Sequence, residues 1–275
     1  MRIRIVDAFT DRPFGGNPAG VLLLDAGPFP DDSWLQRVAA EVNLSETAFA
    51  HPLPAGGDAD WALRWFTPTT EVDMCGHATL ATAHVLRSAG RASGTVRFAA
   101  RAGILGATTH DDGSITLDFP TSSLTRVEIP EGIAAALGAE PVSAYDTSED
   151  LGDLLVEFAD ERTVRALAPD FGALTAHSRR GVIATAVAED PAGGYDFVSR
   201  GFFPAVGIAE DPVTGSAHTA LAPFWAAALG RADLTGLQVS GRTGFVRTAL
   251  RGERTLLTGR AVTVIDGELF SSPDA

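Results

Sequence analysis

A chain of 275 residues with 45% hydrophobic and 20% charged residues has the balance of a globular protein with a substantial core, in one large domain or two of ordinary size. Its net charge of −14 argues against nucleic acid or an anionic membrane surface as a partner, because both require clustered Lys and Arg. The single cysteine, Cys75, allows no intramolecular disulfide and no cysteine-based metal cluster; six scattered histidines, none at His-x-x-x-His spacing, give no reason to expect a metal.

The start, MRIRIVDAFTDRPFGGN, is a charged strand pattern without the apolar core of a signal peptide, and no apolar run reaches membrane-spanning length, so a soluble cytoplasmic protein is expected. Ile3 and Ile5 alternate as in a strand, and Gly20 to Leu24 form a second apolar run. The turn residues between them, Asp11, Pro13, Gly15, Gly16, Asn17 and Pro18, read as a rigid loop. Asp31 or Asp32 caps a predicted helix with Trp34, Leu35, Val38, Ala39 and Val42 at helical spacing, ending near Asn43. Leu44 to Thr47 lead into a short strand at 48–50, which places Glu46 at a loop-to-strand junction, where function concentrates. Trp61 to Phe66 read as a strand, and the helix from Gly76 to Leu86 is apolar on nearly every side and therefore buried all round.

Strands are expected at 95–99, 104–108 and 115–119, then a linker at Pro120 to Ser123. Short helices come next at 131–137 and 161–167, with strands at 154–158, 182–188 and 195–199. A second alanine-rich helix runs from Gly215 to Leu229, with a kink expected at Pro223, before four more strands at 237–240, 245–250, 255–258 and 262–265. The economical picture for each half is a strongly curved sheet wrapped around one central helix.

The two alanine-rich helices belong to an internal echo. With Phe66-Thr67-Pro68 laid on Phe202-Phe203-Pro204 and Cys75-Gly76-His77-Ala78 on Thr214-Gly215-Ser216-Ala217, both halves show an aromatic turn, an acidic loop, a small residue before Gly and an alanine-rich helix. The second loop is three residues longer. A Gly at the start of a buried helix lets backbone N–H groups approach an anion, so two such starts can grip one carboxylate-bearing molecule between the halves; close packing alone would also explain both glycines. Cys75 is an obvious reactive atom, but a symmetric two-cysteine mechanism requires a second cysteine where Thr214 stands. Glu46 and Asp211 are the alternative engine for C–H proton transfer, although a turn carboxylate and a helix-dipole partner would look the same in sequence. His77 and Ser216 read either as substrate contacts or as caps, His84 as a core histidine, and His51, His110 and His177 as loop or surface residues. Glu71 and Glu210 read as solvated loop charges. The absence of GxGxxG and P-loop motifs implies neither a dinucleotide nor ATP.

Four motifs, DAFTDRPFGGNPAGV at 7–21, NLSETAF at 43–49, RWFTPTTEVDMCGHAT at 64–79 and AEDPVTGSAH at 209–218, together resemble the PhzF-like isomerases of phenazine-biosynthesis type, within the diaminopimelate epimerase superfamily. The resemblance implies an α+β fold of two similar pseudo-symmetric domains, each a highly twisted barrel-like antiparallel sheet around a central helix. The boundaries expected are 1–120, with the last strand at about 262–275 returning to it, and 121–261. It implies a homodimer and a cofactor-free isomerase that moves a proton on a small carboxylate-containing metabolite bound between the domains. The general acid/base falls on Glu46, with His77 and Asp211 beside it, and substrate-binding positions on Ser45, Gly76, Gly215 and Ser216. Cys75 occupies the place of one catalytic cysteine of the related epimerases, which leaves a minor role for it open. Two other readings stand beside this one: a non-catalytic small-molecule-binding protein of the same fold, and an epimerase or dehydratase using Cys75 as base.

Overall fold

The computed structural model describes residues 1–147, 149 and 151–271. Its internal contacts divide it into two units, Met1–Asp118 with Thr258–Ala275, and Phe119–Leu257. In unit 1, β1 (Arg2–Ala8) pairs antiparallel with β2 (Asn17–Leu23), and the chain crosses through α1 (Asp32–Val42) to lay β3 (Glu46–Pro52) parallel to β2. β4 (Trp61–Phe66) returns antiparallel to β3, and the short β5 (Glu71–Val72) folds back on its end. The chain passes through α2 (Gly76–Ser88) into β6 (Thr95–Ala100), parallel to β4, then into β7 (Gly103–Thr109) and β8 (Ile115–Pro120).

Unit 2 repeats this order. β9 (Leu124–Val127), α3 (Ile133–Leu137) and β10 (Ser143–Thr147) lead to β11 (Asp153–Glu157). The chain then crosses through α4 (Glu161–Ala166) and α5 (Phe171–Leu174) to β12 (Gly181–Val187), parallel to β11. β13 (Phe197–Phe203) returns antiparallel, β14 (Ile208–Asp211) folds back, and α6 (Gly215–Leu229) leads to β15 (Asp233–Gln238), parallel to β13. After β16 (Gly244–Arg251) and β17 (Arg254–Gly259), β18 (Ala261–Glu268) pairs antiparallel with β1, Ile265 opposite Ile5. Residues 272–275 of the expected last segment lie outside the described residues.

To the antiparallel pairing expected, the structure adds parallel pairs, β2·β3 and β4·β6 in unit 1 and β11·β12 and β13·β15 in unit 2, so the sheets are mixed. Each parallel pair is joined through a helix, which is what brings a chain back to run in the same direction. The fold class stands, an α+β architecture of two similar halves.

Helix α1 forms because Asp31 caps it, accepting from Ser33 N at 2.8 Å, and stops because Asn43 turns left-handed with φ 53°. Its stripe of Trp34, Leu35, Val38 and Ala39 packs on Leu22, Phe49 and Phe66 of the sheet. Burying a side chain the size of Val38, Leu35 or Phe49 contributes about 1.5–3 kcal/mol. Helix α2 instead touches β1, β2, β3, β7 and β18. One helix reaches that many strands only where the sheet curls around it. Its two buried threonines satisfy themselves, Thr79 and Thr82 hydroxyls donating to the carbonyls of Cys75 and Ala78. At Gly259 a side-chain carbon would stand 2.4 Å from the Phe9 ring, so the strand approaches this core only as glycine.

Unit 2 shows the same two-sided packing with period 2 along its strands. Leu154, Val156, Val182 and Ala184 face Ile133, Leu137, Val164 and Leu174 of the short helices, whereas Leu155 and Ile183 face Ala217, Leu221 and Trp225 of α6. Helix α6 runs from Gly215 to Leu229 with Pro223 inside it. Proline supplies no N–H to the carbonyl of Thr219, and Ser122 N–H takes that place at 3.2 Å, so the expected linker segment mends the bond that Pro223 removes. No helix among the described residues is long and apolar enough to cross a membrane.

Candidate active site

Glu46 opens β3 opposite Ala19 of β2, its position fixed by sheet register, and is 9% exposed. Cys75 is the N-cap of α2, in extended conformation, with Gly76 and His77 as the first helical residues. These elements bring Glu46 and His77 together, with 3.3 Å between Glu46 Oε2 and His77 Nε2. The contact is close, but its alignment falls short of a hydrogen bond at Nε2. On the other edge of the ring, His77 Nδ1 meets the Asn17 amide nitrogen at 3.2 Å and Cys75 Sγ at 3.5 Å. Burial lowers the His77 pKa to about 3, because the imidazolium would lose its hydration with no compensating aligned anion. The imidazole is therefore neutral at physiological pH.

The donor atoms of Glu46, Cys75 and His77 lie within 4.8 Å of one another. The set does not suit a metal ion. Cys75 approaches Nδ1 and Glu46 approaches Nε2, and the in-plane directions of these two nitrogens diverge, so one ion on either nitrogen turns away from the ligand at the other.

In unit 2, Asp211 ends β14 and Thr214 caps α6. The Thr214 hydroxyl donates to Asp211 Oδ2 at 2.6 Å rather than to the helix. Gln238, at the end of β15, accepts from Thr214 N–H at 2.8 Å and donates to the Asp211 carbonyl at 2.8 Å, locking the loop to the sheet. Ser216 Oγ accepts from Arg180, whose guanidinium forks onto the buried Asp153 and lies 5.1 Å from the centre of the Phe203 ring. Burial raises the Asp153 pKa, and Arg180 opposes that shift. Gly76 is half-buried and Gly215 buried at their helix starts, and Ser45 is half-buried just before β3.

The sequence profile of the family described as phenazine biosynthesis-like protein matches residues 6–267. The chain belongs to this phenazine biosynthesis-like family. It is 48% identical to an uncharacterized isomerase of Pseudomonas aeruginosa over 96% of each chain. A crystal structure of a phenazine biosynthesis protein of the PhzF family from Enterococcus faecalis superposes with TM-score 0.89 at 40% identity, covering 98% of this chain and 99% of that one. A hydroxyproline epimerase from Agrobacterium vitis shares the fold at TM-score 0.63 and 15% identity, over 97% and 91% of the two chains. This phenazine biosynthesis-like protein is an isomerase with a diaminopimelate epimerase-like fold.

With Phe66 laid on Phe202, the strand registers of the isomerase match residue for residue. Thr47 pairs with Phe66 and Val182 with Phe202; one step back, Glu46 opposite Ala19 matches Gly181 opposite Asp153. Unit 2 has no carboxylate at the place of Glu46, and Ser216 and Thr214 stand at those of His77 and Cys75. Asp211 in turn matches Val72.

Glu71 and Glu210, expected as solvated loop charges, are both forked by arginine. Arg64 holds Glu71 at 2.6 and 2.8 Å, and Arg200 holds Glu210 at 2.8 and 2.9 Å. Each guanidinium also lies over the phenylalanine two residues on, Phe66 at 5.0 Å and Phe202 at 4.9 Å. His51 is corrected too: it is buried in β3 against Phe29. Sequence reasoning missed Asn17, Arg180 and Gln238 as site residues. The signal for the arginine pairs was present, since Arg-x-Phe precedes both halves of the echo; for Gln238 there was none.

Proposed function

We propose that this isomerase catalyses cofactor-independent proton transfer on a small carboxylate-containing metabolite, with Glu46 as general acid/base. The observation that carries this reading is the buried Glu46 carboxylate beside a buried, neutral His77 at the start of α2, together with the glycine at the matched position of unit 2. A single carboxylate that takes a proton from carbon and returns it elsewhere fits an isomerisation better than a racemisation by two matched bases. Neither Cys75 nor Thr214 caps its helix through its side chain, whereas α1, α4 and α5 are each capped by aspartate. Helix starts left this way suit a substrate carboxylate. Asp211 and Ser216 would serve in positioning and charge stabilisation.

The test is a panel of unsaturated and carboxylate-bearing metabolites incubated in D2O. Solvent deuterium is expected in the product, and Glu46→Gln is expected to lower its appearance at least about 10³-fold; a Glu46→Gln enzyme of full activity sinks the assignment. The contact of Cys75 Sγ with His77 Nδ1 favours a second reading, Cys75 as base. Under the Glu46 reading, Cys75→Ala keeps its rate within about threefold, since a residue outside the proton path changes packing alone.

A further inference from the structure

His77 and His218 are the buried histidines near the starts of α2 and α6, and their surroundings specify opposite tautomers. His218 Nδ1 stands 2.8 Å from the Thr214 carbonyl oxygen, which only accepts; its proton is therefore on Nδ1 and Nε2 is bare. His77 Nδ1 stands 3.2 Å from the Asn17 amide nitrogen, which only donates. Cys75 Sγ, at 3.5 Å from the same atom, is a weak donor and a weak acceptor and so leaves the choice of tautomer to the Asn17 amide. Nδ1 must then be the acceptor, and the one proton of a neutral ring goes to Nε2, the atom facing Glu46 at 3.3 Å without an aligned partner. Asn17 is itself fully buried at the first position of β2, a strand that packs against α2.

We infer that Asn17 is a positioning residue that holds His77 as the Nε2–H tautomer, making the imidazole a neutral hydrogen-bond donor toward the reacting group rather than a second base. The inference rests on the Glu46 reading for its place in the reaction. A neutral ring that donates from Nε2 would stabilise oxyanion charge developing on the substrate when Glu46 removes the proton, without competing for that proton. The carboxamide does this where a carboxylate would not: aspartate at 17 would accept from Nδ1–H and turn the donor edge away from Glu46.

The experiment is long-range ¹H–¹⁵N correlation of the imidazoles in the ¹⁵N-labelled full chain near pH 8, with His77→Gln and His218→Gln assigning the signals. His77 is expected to show a protonated Nε2 and a bare Nδ1, and His218 the reverse within the same spectrum. Asn17→Asp is expected to move the His77 proton to Nδ1 and to lower turnover about 10²-fold, whereas Cys75→Ala leaves the tautomer as it is. A wild-type His77 protonated on Nδ1 overturns the inference even if Asn17→Asp fails to fold, as does a folded Asn17→Asp with Nε2–H unchanged or a switch caused by Cys75→Ala. Because the tautomer is read without turnover, a fully active Glu46→Gln enzyme would remove the Glu46 assignment and still leave the part played by Asn17 to be read from the spectrum.

Discussion

The two units use one strand order and one helix placement, yet their matched corners carry opposite side chains. In unit 1 the corner holds Glu46 and Trp65; in unit 2 the matched residues are Gly181 and Gly201. Phe203 explains the difference. A side-chain carbon at Gly181 would stand 2.1 Å from its ring and one at Gly201 2.7 Å, so this phenylalanine fills the space that the acid and the indole occupy in the other half. A duplicated scaffold can thus carry the same framework pairs, Arg64–Glu71 and Arg200–Glu210, while one half holds an acid at this corner and the other an aromatic ring and Arg180.

The sharpest way to break that comparison is Gly181→Ala. Its added carbon also meets the Phe202 carbonyl oxygen at 2.5 Å, so backbone must shift, and a loss of about 3 kcal/mol is expected in urea unfolding. An unchanged midpoint would mean that Phe203 does not exclude an acid from this corner.

Next in size is the acid response of the two buried histidines. Burial lowers His77 to about 3 and His218 to about 4, below the unfolded value near 6.5. Between those limits the unfolded chain binds more protons than the folded one, so stability is full above pH 6.5 and falls as the pH falls through this window. Each ring should remove about 2 kcal/mol between pH 6.5 and 5. His77→Gln should flatten that limb by one such amount, and His218→Gln by another. A limb left unchanged by His77→Gln would place the charged ring in better company than its contacts indicate.

The smallest effect separates the two arginine pairs. Lysine cannot fork a carboxylate, so Arg64→Lys is expected to cost about 1 kcal/mol. Arg200→Lys should cost about 2 kcal/mol, because Arg200 also makes half-buried hydrogen bonds to the carbonyls of Val164 and Leu167 at the end of α4, at 3.3 and 2.7 Å, whereas the further partner of Arg64 is the exposed Asp32 at 2.8 Å. Equal midpoints for the two variants would show that the helix contacts add nothing to the pair.

The features legible in the chain were those that depend on neighbours in sequence. Asp31 and Asn43 bound α1 because capping and left-handed turning are local; Gly76 and Gly215 mark helix starts because the residues after them are alanine-rich and apolar. The strands that were missed, β5, β9, β10 and β14, are short enough that two to five residues carry no clear period. Parallel pairing was not legible either, since it depends on which strand a returning chain lands beside.

By itself the sequence determined that there are two halves, that a buried helix lies at the heart of each, and that Glu46, Cys75 and His77 belong to one of them, because repetition, apolar periodicity and residue order are properties of the chain. Only the tertiary structure decided what those residues do to one another. A tautomer, a lowered histidine pKa, an arginine fork or a corner too full for a carboxylate is a matter of a few tenths of an ångström between groups far apart in sequence, Asn17 and His77 being 60 residues apart, and such distances exist only once the sheet has curled around its helix.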